Sequence, residues 1–314
     1  MKRILPWIAA ILTVIVWAET FVSTKLLLNL GIQPSDIFLF RFILAYCGIW
    51  GLCALDKSGR EGTIITGKER LAYELRFLAL GIFGGSLYFL LENTALEYST
   101  ASNVSILVGS APLLTGIVVG SVYKEERLSV RQWMGSLISF IGMAMVILNG
   151  QLVLHLNPLG DSLAIGAALV WAFYSLIFRK VSYKFSVIFV TRKVFGYGLL
   201  TMMVYLLVVR EISAPLYFNP AVMSKPVVWG NLIYLGLVAS LLCFVAWNYA
   251  IKQLGATRTT NLIYGQSIMT MLIAAIVLDE RITFMAIAGA ITLIGGMVLA
   301  IRKQVPSHVD SKTS

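Results

Sequence analysis

The sequence predicts an all-α integral membrane protein made of two inverted copies of a five-helix unit. Three observations carry that prediction. The 314 residues are 58% hydrophobic and only 13% charged, with a mean hydropathy of +0.84. A water-soluble domain needs a far more polar surface. The chain also repeats itself. Residues 81–147 align with 236–301, so that Gly81, Phe89, Asn93, Ala95 and Ala101 face Gly236, Phe244, Asn248, Ala250 and Ala256. After a one-residue gap, Glu126-Arg127 faces Glu280-Arg281, Gly135 faces Gly289 and Gly142-Met143 faces Gly296-Met297. A duplication of this length sets the architecture before any single element does. The third observation is that Lys and Arg crowd alternate loops.

A helix of about 20 apolar residues crosses a bilayer. The stretches that qualify are 5–28, 35–55, 74–96, 102–122, 130–149, 160–180, 186–209, 228–251, 257–278 and 283–302, ten in all. Lys2-Arg3 before an apolar run resembles a signal peptide, but the run is too long and carries Glu19, so it reads as the first membrane helix. Pro34-Ser35-Asp36 starts the second helix, and Asn157-Pro158-Leu159-Gly160-Asp161 starts the sixth. Helices are required because hydrocarbon offers backbone amides no other partner, and the alternating pattern of a barrel is absent. Gly109-Ser110-Ala111-Pro112 predicts a kink midway along the fourth helix; its counterpart near Gly265-Gln266-Ser267 lacks the proline, so an asymmetric kink is expected. Gly81/Gly85, Gly116/Gly120, Gly135/Gly142 and Ala286/Ala290 set small residues on helix stripes where backbones can approach.

With the N-terminus inside, Lys2, Arg3, Lys57, Arg60, Lys68, Arg70, Arg76, Lys124, Arg127, Arg131, Arg179, Lys180, Lys184, Lys252, Arg258, Arg302, Lys303 and Lys312 fall on the cytoplasmic side. Outside, only Lys25, Arg210, Lys225 and Arg281 remain. That asymmetry predicts both termini cytoplasmic, and it reads the net charge of +10 as topology rather than nucleic-acid binding. The first helices of each half match as well: VWAETFVSTK at 16–25 faces VWAFYSLIFRK at 170–180, and Arg41 corresponds to Arg192. Five helices is an odd number, so the second copy inserts upside down. The halves are residues 1–150 and 151–304, followed by a short polar cytoplasmic tail at 305–314. Inverted repeats are a common plan of secondary transporters, whose site lies near the midplane between the copies. Cys47, Cys53 and Cys243 lie in apolar spans without metal-like spacing and read as small buried apolar residues.

These residues together resemble the drug/metabolite transporter superfamily, specifically its EamA type with ten helices. The resemblance covers nearly the whole chain. It rests on VWA in helices one and six, ENTALEYSTAS after helix three, SAPLL in helix four and the two Glu-Arg pairs before helices five and ten. It implies a small-metabolite transporter of a bacterial inner membrane, commonly for amino acids, with a branch that exports aromatic ones.

Ionisable residues within membrane helices are functional candidates because they are expensive there. Glu19, Arg41 and Glu92 sit at depths where they could meet on the outer side of a central cavity. The expectation is that Arg41 pairs with one carboxylate while the other binds a substrate amine or a proton; the alternative is a structural ion pair. Trp17 and Trp171 are repeat mates near mid-helix and, with Tyr88, Tyr174 and Tyr264, could line a cavity beside Thr20 and Gln266. Asn93 and Asn248 are also repeat mates, for which cross-helix packing is the stronger reading. Arg192 is read as an anchor and Lys193 as reaching the interface, with contact to a substrate carboxylate the weaker reading. Trp7, Trp50, Trp133 and Trp229 fit interfacial belts. Glu126-Arg127 and Glu280-Arg281 read as helix caps and gate-side ion pairs.

No Walker loop or H-E-x-x-H motif occurs, and His155 and His308 both lie outside the spans, so neither an enzyme nor a resident cofactor or metal is expected. The leading reading is a secondary transporter, an exporter by family analogy, that works by alternating access on a small molecule such as an amino acid. Proton coupling through Glu19 and facilitative transport both stay open. The alternatives are a carrier of drug-like compounds, nucleotide-sugars or phosphate esters, and a membrane protein that transports nothing. Phosphorylated cargo would want several converging cations.

Overall fold

The structure is a computed structural model that describes residues 4–55, 67–148, 157–209, 220–277 and 282–301. Among the described residues there is no β-strand, and eight helices are long and apolar enough to cross a membrane. They are α1 (Leu5–Asn29), α2 (Pro34–Leu55), α3 (Glu69–Tyr98), α4 (Asn103–Val122), α5 (Val130–Leu148), α6 (Pro158–Val181), α7 (Val187–Val208) and α8 (Pro226–Leu254). Residues 256–277 (α9) and Phe284–Ile301 (α10) are helical too, but α9 is interrupted and α10 is shorter. The loop residues Lys57, Arg60, Arg210, Glu280 and Arg281, His155, and the tail with His308 lie outside the described residues.

Several ends follow local rules visible in the sequence. Asn157 accepts from the amides of Leu159 and Gly160 at 3.1 Å and caps α6, with Pro158 at the first helical position. Ser129 and Gln132 form a reciprocal capping box at the start of α5. Gly255, at φ +94°, ends α8 in a backbone conformation that L side chains rarely adopt, and α9 starts at once.

Breaks in the helices matter more than their ends. α1 is interrupted after Trp17, at Ala18 and Glu19, with no glycine or proline to explain it. There the freed Trp17 carbonyl accepts from Gln266 Nε2 at 2.8 Å and from Thr20 Oγ1 at 2.9 Å. Side chains satisfy the backbone where the ladder fails, as a low-dielectric interior demands. α3 and α8 each carry a π-helical bulge, at Ile82–Ser86 and Tyr234–Leu242, in stretches that the alignment of the two halves pairs. The Trp17 indole donates to Ala239 O of the second bulge at 2.9 Å, and Tyr234 OH donates to Val16 O at 2.6 Å, so broken α1 is spliced to bulged α8. The expected kink in α4 falls at Gly109-Ser110. α9 is interrupted as well, by a 3₁₀ turn at Asn261–Gly265, so the missing proline does not leave the second copy straight.

α5 and α10 pack with backbones in contact. A Cβ on Gly135 would lie 2.5 Å from Ala300 N, and one on Gly296 would lie 2.5 Å from Ser139 N. Beyond this seam, Leu137, Ile141, Ile291, Ile294 and Val298 are exposed, the surface expected of a chain solvated by lipid. Cys47 shares such a surface with Ile43 and Trp50, which corrects its reading as a buried residue; Cys53 and Cys243 are buried.

Candidate functional site

A cavity opens between α1, α2, α3, α4, α6, α8 and α9. Broken α1 supplies Trp17, Thr20 and Phe21, while α2 supplies Arg41. Tyr88, Phe89 and Glu92 come from α3, just beyond its bulge, and Val108 and Ala111 flank the kink of α4. The remaining walls are Trp171, Phe244, Ile263 and Gln266. The elements that depart from regular helix are those that shape the cavity, as in carriers whose sites form at discontinuous helices.

Arg41 is 2% exposed, and its Nε donates to Ser240 Oγ at 3.0 Å. Its guanidinium lies 4.2 Å from the centroid of the Phe89 ring. Among the described residues the ion pairs are Arg179–Glu126, Lys184–Glu69 and Lys193–Glu74. Arg41 therefore pairs with neither Glu19 nor Glu92, and the expected intramembrane ion pair is not formed. Instead, Glu92 accepts from Tyr88 OH at 2.8 Å, one turn away on α3. One cation and one carboxylate thus share the pocket without closing on each other, each oriented by a neutral neighbour. The aromatic wall is continuous: Trp17 meets Trp171 edge-on at 5.6 Å, Trp171 lies 5.1 Å from Tyr88, and Phe244 is 6.0 Å from Trp171.

The structure brings Trp17, Thr20, Arg41, Tyr88, Glu92, Trp171 and Gln266 together around this cavity. Other residues singled out from the sequence stand elsewhere. Glu19 is exposed at the α1 break and does not line the pocket. Asn93 is fully buried and donates to Pro34 O at 3.2 Å. Tyr174 and Asn248 lie beneath the pocket, where Tyr174 OH donates to Asn248 Oδ1 at 2.6 Å and Asn248 Nδ2 donates to Thr191 Oγ1 at 3.0 Å. Tyr264 is buried in the 3₁₀ turn of α9. Lys193 bonds Glu74 at 2.8 and 3.0 Å, and Arg192 covers the Trp50 ring at 4.6 Å.

Phe21, Phe89, Val108, Ala111, Phe244, Ile263 and the Arg41 partner Ser240 were not singled out from the sequence. A signal existed for three of them. Phe21 is one turn beyond Trp17 on the same helix face, and Phe89 and Phe244 are paired by the internal alignment. Nothing in the order of residues points to Ser240, because its approach to Arg41 depends on the bulge in α8.

Far from the pocket, Glu126 accepts from Arg179 Nε at 2.5 Å and from the backbone amide of Thr257 at 3.0 Å. It therefore ties the loop after α4 to the end of α6 and the start of α9.

Comparison with known proteins adds a family, three relatives and a solved structure. The profile of the EamA-like transporter family matches residues 5–148 and again 158–302. An uncharacterized transporter of Archaeoglobus fulgidus is 26% identical over 300 residues, covering 93% of this chain and 96% of its own. A probable terminal-alkyne amino-acid exporter of Streptantibioticus cattleyicolor is 24% identical over 97% of this chain and 96% of its own. A probable amino-acid metabolite efflux pump of Escherichia coli is 23% identical over 94% of each. A solved crystal structure matches with a TM-score of 0.70 at 16% identity, covering 95% of this chain and 96% of that one, which shows a shared fold.

Proposed function

The chain belongs to the EamA-like transporter family, and on that premise we propose that it carries an amino acid or a close relative by alternating access around the Arg41–Glu92 pocket. The observation that carries this reading is the unpaired juxtaposition of one buried guanidinium and one carboxylate in an aromatic-walled cavity. Arg41 takes the substrate carboxylate, for which its planar fork suits bidentate bonding. Glu92, held by Tyr88, takes the ammonium group. Trp17, Trp171 and Phe244 cover an apolar side chain. Relatives named as amino-acid exporters and efflux pumps support both the solute class and the outward direction. Among the described residues Arg41 is the one cation lining the cavity, which disfavours phosphate esters and nucleotide-sugars.

All ten apolar stretches cross the inner membrane in this reading, as two inverted five-helix units with both termini cytoplasmic. The Lys and Arg distribution supports that topology. Transport needs no resident cofactor. In a proton-coupled cycle Glu92 is the exchanging group, because it faces the cavity while Glu19 faces away.

The test is flux of labelled amino acids in proteoliposomes, with and without a pH gradient. Saturable flux is expected, with capacity lost for analogues lacking either the carboxylate or the amine. Glu92→Gln removes any dependence on the gradient, and Glu19→Gln keeps it. Equal flux of the analogues lacking a charge would overturn the zwitterion reading. Loss of coupling in Glu19→Gln alone would move the proton site to the flank of α1.

A further inference from the structure

Three of the cavity walls continue toward one end of the molecule in the same way. Ala111 of α4, Trp171 of α6 and Phe244 of α8 line the cavity. One turn further along each helix stand Thr115, Ser175 and Trp247. All three are fully buried, and Thr115 Oγ1, Ser175 Oγ and Trp247 Nε1 have no hydrogen-bond partner within the protein. The Trp171 indole nitrogen above them is also buried without one. Buried polar groups are normally paired, because leaving them unpaired forfeits the hydration they had in water. Four of the eight such atoms among the described residues stand on these three helices, at the cavity wall or one turn beyond it.

The column ends at a tie between the same helices. Past Thr115 lies Glu126, past Ser175 on the same face lies Arg179, and past Trp247 the chain turns at Gly255 into α9. Glu126 accepts from Arg179 Nε at 2.5 Å and from Thr257 N at 3.0 Å, while Thr257 Oγ1 approaches the Glu126 carbonyl at 3.4 Å. Gly255 holds its left-handed turn against this carboxylate, where an added Cβ would lie 3.0 Å from Glu126 Oε2. One side chain thus closes the C-terminal ends of α4, α6 and α8 on one another. The Tyr183 ring lies 4.2 Å from the Arg179 guanidinium, and the Arg179 and Glu126 side chains are 12% and 9% exposed.

We infer that Thr115, Ser175 and Trp247 line a shut passage from the cavity to this end of the molecule, and that Glu126 is the latch holding it shut. The inference rests on the reading of the chain as an alternating-access carrier. When the latch parts, the column admits water and the unpaired groups gain the partners they lack. The closed state therefore combines an electrostatic tie with an unsatisfied lining, and neither state is overwhelmingly favoured.

Thiol accessibility tests this without any substrate. In the full chain with Cys47, Cys53 and Cys243 replaced by alanine, Ser175→Cys and Thr115→Cys are each reacted with a membrane-impermeant maleimide. Labelling is expected to be slow, and to accelerate about tenfold or more when Glu126→Gln is added, the scale of losing a charged hydrogen bond. Arg179→Gln, which cuts the same tie from the other side, gives the same acceleration and serves if Glu126→Gln fails to fold. Ile49→Cys, buried on α2 away from the column, stays slow throughout. Unchanged labelling of both column positions in a folded latch variant overturns the inference, and so does equal acceleration at Ile49→Cys, which would mean general loosening. If no solute is transported but the column opens, the carrier reading fails and the latch survives. If flux is intact and the column stays shut in the latch variants, the latch alone is wrong.

Discussion

Arg41 shows how little of a residue's role is set by its charge. Burial at 2% exposure would be costly for any cation, and no carboxylate compensates it directly. Its hold comes from shape: Nε is fixed by Ser240, and the flat guanidinium lies on the Phe89 ring. A lysine has no equivalent of Nε and no planar face, so it keeps the charge and loses the placement. Arg41→Lys is accordingly expected to lower transport at least about tenfold, close to the loss in Arg41→Gln, while the thermal midpoint stays within a few degrees. Flux kinetics and melting in detergent check this together. Near-native flux in Arg41→Lys would show that charge alone is read. Glu19 teaches the complementary lesson. A carboxylate in the middle of an apolar span stands out in the sequence, yet it is exposed at the α1 break while Glu92, nearer a helix end, faces the cavity.

Among the elements, the seam between α5 and α10 is the most constrained. Gly296 has Ser139 N and Gly135 O within 2.6 Å of where a Cβ would stand, and both are backbone atoms that cannot swing aside. Its neighbour Gly295 has nothing within 4 Å. Gly296→Ala is therefore expected to destabilise by about 1–3 kcal/mol through overpacking. Gly295→Ala is expected to stabilise by about 0.5–1 kcal/mol, because alanine is the better helix former at an open site. Melting of the two variants side by side checks the sign at adjacent positions, and equal effects would show that the seam is not tight. The broken elements follow a different logic. α1, α3, α4, α8 and α9 are interrupted where they meet the cavity, and the freed carbonyls of Val16, Trp17 and Ala239 are taken by side chains of neighbouring helices.

For the whole molecule, the halves share almost every layer. α5 packs on α10, α6 on α3 and α4, α1 on α8, and α7 on α2 and α3. If the duplicated units are residues 1–150 and 151–304, neither can bury the seam of Gly135 and Gly142 against Gly289 and Gly296, nor pair Glu126 with Arg179, without the other. Each half expressed alone is expected to be degraded or aggregated, and co-expression of the two is expected to restore a monodisperse complex. Size-exclusion chromatography of tagged halves reads the outcome. A stable half would show that the contacts across the alignment are dispensable.

Composition determined the class of protein, and the order and duplication of its motifs determined the family, because hydropathy and duplication are properties of the residue order itself. Local rules also placed the start of α6 at Asn157 and the break at Gly109-Ser110, since each depends on residues within a turn or two, whereas the cap of α5 fell at Ser129 and not at the expected Glu126-Arg127. The bulge in α3 falls on Gly84-Gly85, but the break in α1 and the bulge in α8 have no comparable local signature. The α1 break and the α8 bulge persist because side chains from distant helices satisfy the carbonyls of Val16, Trp17 and Ala239. Only the tertiary structure could therefore decide that Arg41 meets Ser240 rather than a glutamate, that Glu92 and not Glu19 faces the cavity, and that Glu126 closes the far end of the same column. Each depends on a rotation or register set by packing between helices far apart in the chain.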